Sequence, residues 1–122
     1  MKKINILTVT FHTPDLIKSM INSFEKFKPE DLDITYVIVE NSRDTSYKED
    51  TEKLANNIIW INHEEGENYQ SSHGHGMAFD IGKQSCDEEY TFVCHSDTCV
   101  TSANFFNEFF RKVSQGFELV GV

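Results

Sequence analysis

Three short polar clusters each contain side chains able to bind a cation or a phosphorylated small molecule: Thr10-Phe11-His12, Glu40-Asn41-Ser42 with Asp44, and His95-Ser96-Asp97. Carboxylate oxygen and imidazole nitrogen are ligands for divalent cations. Each cluster follows an apolar run directly. A fourth stretch, residues 73–82, is punctuated by Gly74, Gly76 and Gly82, where backbone can approach a ligand or a sheet closely. Polar residues end strands for turn chemistry alone, so the joint placement of the clusters is the informative feature.

The elements that position them follow from hydrophobic pattern. Residues 4–10 and 34–39 are continuous β-branched and apolar runs, the signature of strands buried on both faces of a parallel sheet. Thr13-Pro14-Asp15 supplies a cap, a first-turn proline and an acid for a helix with Leu16, Ile17, Met20, Ile21, Phe24 and Phe27 on one face, and Pro29 follows its end. A polar helix over residues 47–57 and a strand over residues 58–61 come next. A polar stretch then leads through His73-Gly74-His75-Gly76 into a helix ending near Cys86. Residues 90–94 form the fourth strand, Thr101 or Ser102 caps a helix containing Phe105, Phe106, Phe109, Phe110 and Val113, and residues 117–122 read as a fifth strand. This alternation predicts an α/β, Rossmann-like, mostly parallel sheet with helices on both faces, its ligands bound beyond the carboxyl ends of the strands.

At 122 residues, with 39% hydrophobic and 25% charged side chains, the chain predicts one domain spanning residues 1–122. A net charge of -9, from 11 basic and 20 acidic residues, argues against a nucleic-acid partner. It leaves room for a small phosphorylated ligand, because helix N-termini and a bound cation supply positive potential locally. Cys86, Cys94 and Cys99 lack CxxC spacing, which points to a cytoplasmic protein without a disulfide framework. No run is long and apolar enough for a signal peptide or membrane span.

A zinc site drawn from His73, His75, His95, Cys94 and Cys99 is disfavoured: Cys94 and His95 point to opposite faces of one strand, and Cys99 suits packing as a small apolar side chain. His75, between two glycines, suits a turn with positive φ. His12 and His63 have no partner at a useful spacing. The phenylalanines of residues 105–110 suit a helix packed on the sheet better than a ligand-stacking surface.

The order of these motifs resembles that of family 2 glycosyltransferases and their GT-A relatives over essentially the whole chain. Val9-Thr10-Phe11-His12 stands where that family ends its first strand. Val39-Glu40-Asn41-Ser42-Arg43-Asp44 is similar to the Val-Asp-Asn-Gly-Ser turn of the second strand, one residue shorter and with Glu for Asp. Asn68, Gly74, Gly76, Ala78-Phe79-Asp80-Ile81-Gly82 and His95-Ser96-Asp97 follow in family order, with His95 at the first acidic position of the metal motif. The resemblance implies a transferase for a nucleoside-diphosphate sugar, UDP-sugar foremost. Thr10, Phe11, His12, Glu40, Asn41, Ser42, Asp44, Gly76, Asp80 and Ser96 would line the donor site, Glu40 contacting the base.

By the same resemblance Asp97 would bind Mn2+ or Mg2+ on the diphosphate. His95 would be a second ligand, a sugar contact or the mark of a metal-independent variant. The acceptor region and its general base would lie beyond residue 122, as would any peripheral membrane contact. Glu108 and Glu118, the only acids after Asp97, fall within regular elements. A non-catalytic nucleotide-sugar-binding module is the alternative. A nucleotidyltransferase fits less well, because residues 10–15 contain neither glycine nor lysine.

Overall fold

The computed structural model describes residues 2–69 and 71–118. Four strands, β1 (Lys2–Thr10), β2 (Leu32–Glu40), β3 (Ile58–Asn62) and β4 (Tyr90–His95), form one sheet in the order β3-β2-β1-β4, every neighbouring pair parallel. Helices α1 (Pro14–Phe27), α2 (Lys48–Glu52) and α3 (Ser71–Lys83) lie in the crossovers between strands, and α4 (Asn104–Ser114) follows β4 and packs its Phe106 into the core. The protein is thus an α/β fold with a parallel sheet flanked by helices.

Two-sided burial explains the uninterrupted apolar runs of β1 and β2. Their even-numbered residues Ile4, Ile6, Ile34, Tyr36 and Ile38 share one cluster with Ile17, Met20, Ile21 and Phe24 of α1 and with Phe106 of α4. The odd-numbered Leu7, Val9, Val37 and Val39 meet Ala78 of α3 on the other face. Phe24 is the hub of the first cluster, edge-on to Tyr36, Phe92, Phe105 and Phe106 at centroid distances of 5.9–6.4 Å. The buried stripe of α1 is Ile17, Met20, Ile21 and Phe24, whereas Leu16 is exposed.

The two faces are covered at different distances. At several positions α3 brings its Cα atoms within 8 Å of those of β1 and β2. Gly82 permits this approach: a Cβ there would lie 2.8 Å from Cγ2 of Val39 and collide with Cδ1 of Leu7. Gly74 likewise lies buried beside Tyr69 and Asn41.

The pattern-based boundaries need three corrections. The second helix stops at Glu52 instead of reaching residue 57, since Asn56 and Asn57 favour turns and Leu54 and Ala55 pack on the first cluster from irregular backbone. The His73–Gly76 stretch lies inside α3, where close packing outweighs the poor helix propensity of glycine. The last helix starts at Asn104, two residues after Ser102, whose hydroxyl accepts the Asn104 N–H at 3.2 Å as a capping serine does. Phe117 and Glu118 belong to no strand, and the remainder of the expected fifth strand lies outside the described residues.

Candidate functional site at the carboxyl edge of the sheet

Strand order reverses beside β1: the chain passes from β1 outward to β2 and β3, then returns to place β4 on the other side of β1. Beyond the carboxyl ends of β1 and β4 lies the crevice where ligands of open parallel sheets bind. Register sets Thr10 beside Glu40, Glu40 beside Asn62, and Val9 beside His95. The three clusters therefore share one edge.

The first two clusters are fused through Glu40. Its carboxylate is wholly buried and accepts the Ser42 hydroxyl at 2.7 Å, the His12 backbone N–H at 2.8 Å and the Tyr47 hydroxyl. Burial and the adjoining carboxylate push the Tyr47 phenol far above its ordinary pKa, so it stays a donor. Tyr47 also lies 3.4 Å from the Thr10 hydroxyl, which in turn bonds Thr13. This bond replaces the helix cap expected of Thr13, whose side chain makes none.

His12 reaches Glu40 because it adopts φ 53°, the left-handed region that bulky residues rarely occupy. The positive φ expected at His75 thus occurs at His12. The same turn sets Nδ1 of His12 2.8 Å from Oδ2 of Asp44. Asp44 also accepts the Ser46 N–H at 2.8 Å. Bonds from Ser46 first, then from His12, lower the Asp44 pKa to about 2, and the Asp44 bond raises that of His12. The His12 ring remains 46% exposed. Phe11 is 53% exposed with its ring 4.2 Å from that of His12, so two aromatic rings face solvent at the end of β1.

At β4 the alternation of side chains separates Cys94 from His95. Cys94 packs at 3.7 Å from Sδ of Met20 under α1, and burial pushes its thiol up to about 12. His95 points to the α3 face, where its ring stacks on His75 at 5.4 Å between centroids and 30° between planes. Burial and the neighbouring His95 lower the His75 pKa, and its Nε2 is buried without a hydrogen-bond partner among the described residues. Ser96 and Asp97 form the turn after β4, Asp97 exposed and without an ion pair among the described residues. Cys99, expected to pack, is exposed.

Thr10, Phe11, His12, Glu40, Ser42 and Asp44 are thus brought together, and His95, Ser96 and Asp97 stand along the same edge. Asn41 turns to the α3 face, where Oδ1 meets Nδ1 of the buried His63 at 2.7 Å. Gly76 is exposed, and no atom of the described residues would meet a Cβ there. Asp80 is exposed nine residues into α3, about 14 Å down the helix from its first residue, and does not join the edge cluster. Glu40 is wholly buried behind the His12 turn, out of reach of a base unless that turn opens. Pattern reading missed Tyr47, the third donor to Glu40. It also missed Asn62, whose Nδ2 donates to the carbonyls of Ser42 and Asp44 at 2.9 and 2.8 Å. Asn62 follows Ile58-Ile59-Trp60-Ile61, so the strand-end rule that selected Glu40 could have found it.

A cavity of about 470 Å³ between α1 and α2 adjoins this cluster, with Tyr47 in its wall beside Asp15, Lys18 and Asp50. Another of about 480 Å³ lies at the opposite end of the sheet, around Lys2, Lys3, Glu89 and Tyr90. Fold and edge define an α/β protein with an open parallel sheet and a polar site at its switch in strand order. No protein-family model matches the chain, and no curated protein matches it.

Proposed function

We propose that the chain is the donor-binding domain of a GT-A-type glycosyltransferase and takes a nucleoside-diphosphate sugar, UDP-sugar foremost, at the carboxyl edge. The observation that supports this reading is the reversal of strand order beside β1, with the Thr10–His12 turn and Asp44 on one side and Ser96-Asp97 on the other. In this reading Phe11 and His12 receive the nucleoside, Glu40 acts as the rigid floor that sets their turn, and Ser96 binds diphosphate oxygen. Asp97 suits a cation held jointly with the diphosphate: it is an exposed carboxylate without an ion pair among the described residues, two positions from His95. Mn2+ or Mg2+ there would offset charge on the leaving diphosphate.

A non-catalytic nucleotide-sugar-binding module is favoured by one observation. Glu108 is held by both oxygens to Arg111, at 2.8 and 3.2 Å on the surface of α4, a poor arrangement for a general base. Calorimetric titration with UDP, GDP and their sugars, with and without Mn2+, tests both readings. Metal-dependent binding that Asp97→Ala removes is expected for donor binding. Absence of binding by the folded chain would refute it, and transfer or donor hydrolysis separates enzyme from module.

A further inference from the structure

We propose that His12, Glu40 and Asp44 form a binding site for one borderline divalent cation, Mn2+ or Zn2+, distinct from the Asp97 position and independent of the donor reading. Each residue offers one ligand atom, and the three atoms all lie within 4.8 Å of one another. Metal–ligand bonds of about 2.0–2.2 Å put adjacent ligands about 3 Å apart and opposite ligands about 4.2 Å apart. The 2.8 Å hydrogen bond between His12 Nδ1 and Asp44 Oδ2 already holds the two atoms near the spacing of adjacent ligands, and an ion would take the place of its proton, which is released to solvent. A single ion therefore fits with small side-chain adjustment.

The ligand atoms have room for it. A carboxylate has about four lone-pair positions, and three donors reach Glu40, two on Oε1 and one on Oε2, which leaves Oε2 the freer oxygen. Those donors are neutral, and among the described residues no lysine or arginine pairs with Glu40 or Asp44. Two carboxylates thus face one imidazole, and a cation would balance them.

Orientation is set in advance by groups behind the ligands, as in established metal sites. Ser42 and Tyr47 fix Glu40, the Ser46 N–H fixes Asp44, and the left-handed turn fixes His12. One nitrogen with two oxygens suits Mn2+ or Zn2+ better than Mg2+ or Ca2+, which prefer all-oxygen shells. The exposed His12 ring leaves a path from solvent, and the remaining positions would be filled by water or an incoming ligand.

The test is calorimetric titration of the metal-free chain with MnCl2, ZnCl2 and MgCl2 in the absence of nucleotide. One Mn2+ or Zn2+ per chain is expected, Mg2+ binding much more weakly. His12→Gln and Asp44→Asn should each weaken Mn2+ binding at least about tenfold. Because a variant could fail to fold, Mn2+ is also titrated into the unaltered chain and paramagnetic broadening of the histidine ring protons is followed. Broadening of His12 ahead of His95 supports the site. Absence of Mn2+ and Zn2+ binding, equal affinity for Mg2+, or broadening centred on His95 would overturn it. Nucleotide binding is measured separately, so the donor reading can stand or fall by itself.

Discussion

Replacing Gly82 and, separately, Gly76 with alanine tests the close approach of α3 to the sheet. Both lie in α3, and Ala in place of Gly in a helix interior is favourable by about 0.8–1 kcal/mol. At Gly76 no atom of the described residues lies within 4 Å of the added Cβ, so Gly76→Ala should stabilise by most of that amount. At Gly82, next to the last residue of the helix, the propensity gain is smaller. Its Cβ would lie 2.8 Å from Val39 and collide with Leu7, both in the second core cluster. Overpacking of this kind costs about 1–3 kcal/mol. With the gain at Gly76 added to the cost at Gly82, the two variants should therefore differ by about 1.5–4 kcal/mol, or roughly 6–16 °C in Tm at about 4 °C per kcal/mol for a chain of this size. Urea unfolding followed by circular dichroism reads the difference directly. If Gly82→Ala is as stable as Gly76→Ala, α3 does not pack as described and its small residues need another explanation.

Glu40→Gln places an amide N–H2 against groups that donate to the carboxylate, and should cost about 1–3 kcal/mol in chemical unfolding; a loss of a few tenths would contradict the three-donor arrangement. Tyr47→Phe removes one of those donors and should cost about 1 kcal/mol by the same assay. Phe106→Ala empties a fully buried site edge-on to Phe24 and Phe105 and should cost about 3–5 kcal/mol, a near-neutral result refuting its place in the core. The His12–Asp44 contact should also give stability a pH signature. The raised His12 pKa stabilises below about 6.5 and is lost as pH rises through the folded value, while the lowered Asp44 pKa stabilises above 3.8 and is lost as pH falls toward about 2. The stability difference between the chain and His12→Gln should be largest near pH 4–6 and shrink above pH 7; a flat difference would refute the contact.

Most of the sheet was legible because β1 and β2 are buried on both faces and leave unbroken apolar runs. Burial of Ile4, Ile6, Leu7, Val9, Ile34 and Tyr36 through Val39 follows that pattern. Helix α1 was legible through Pro14 and its 3.6-residue stripe. The start of α3 was not, because Gly74 is there for contact with Tyr69 and Asn41, a tertiary reason invisible to local propensity. The site was legible as a set of strand ends but not as a network. The rule that ligands gather at carboxyl ends selected Glu40, yet whether a carboxylate faces solvent or lies beneath its neighbours depends on Tyr47, seven residues away, and on the left-handed turn at His12. Pattern could not separate Cys99 from a packed residue, since one small side chain after a strand carries no periodicity.

The unequal spacing of the two helical layers has a consequence for how this fold can change over generations. On the α1 and α4 side large aromatic rings fill a wide gap, and rings exchange volume among themselves: a loss at Phe105 can be met by growth at Phe92, its neighbour at 5.1 Å. On the α3 side Gly82 and Ala78 meet Leu7 and Val39 with no such slack. Sequence drift should therefore run freely through one face of the sheet and stall on the other, and descendants of this chain should be recognisable by their small residues in α3 after their aromatic core has been rewritten.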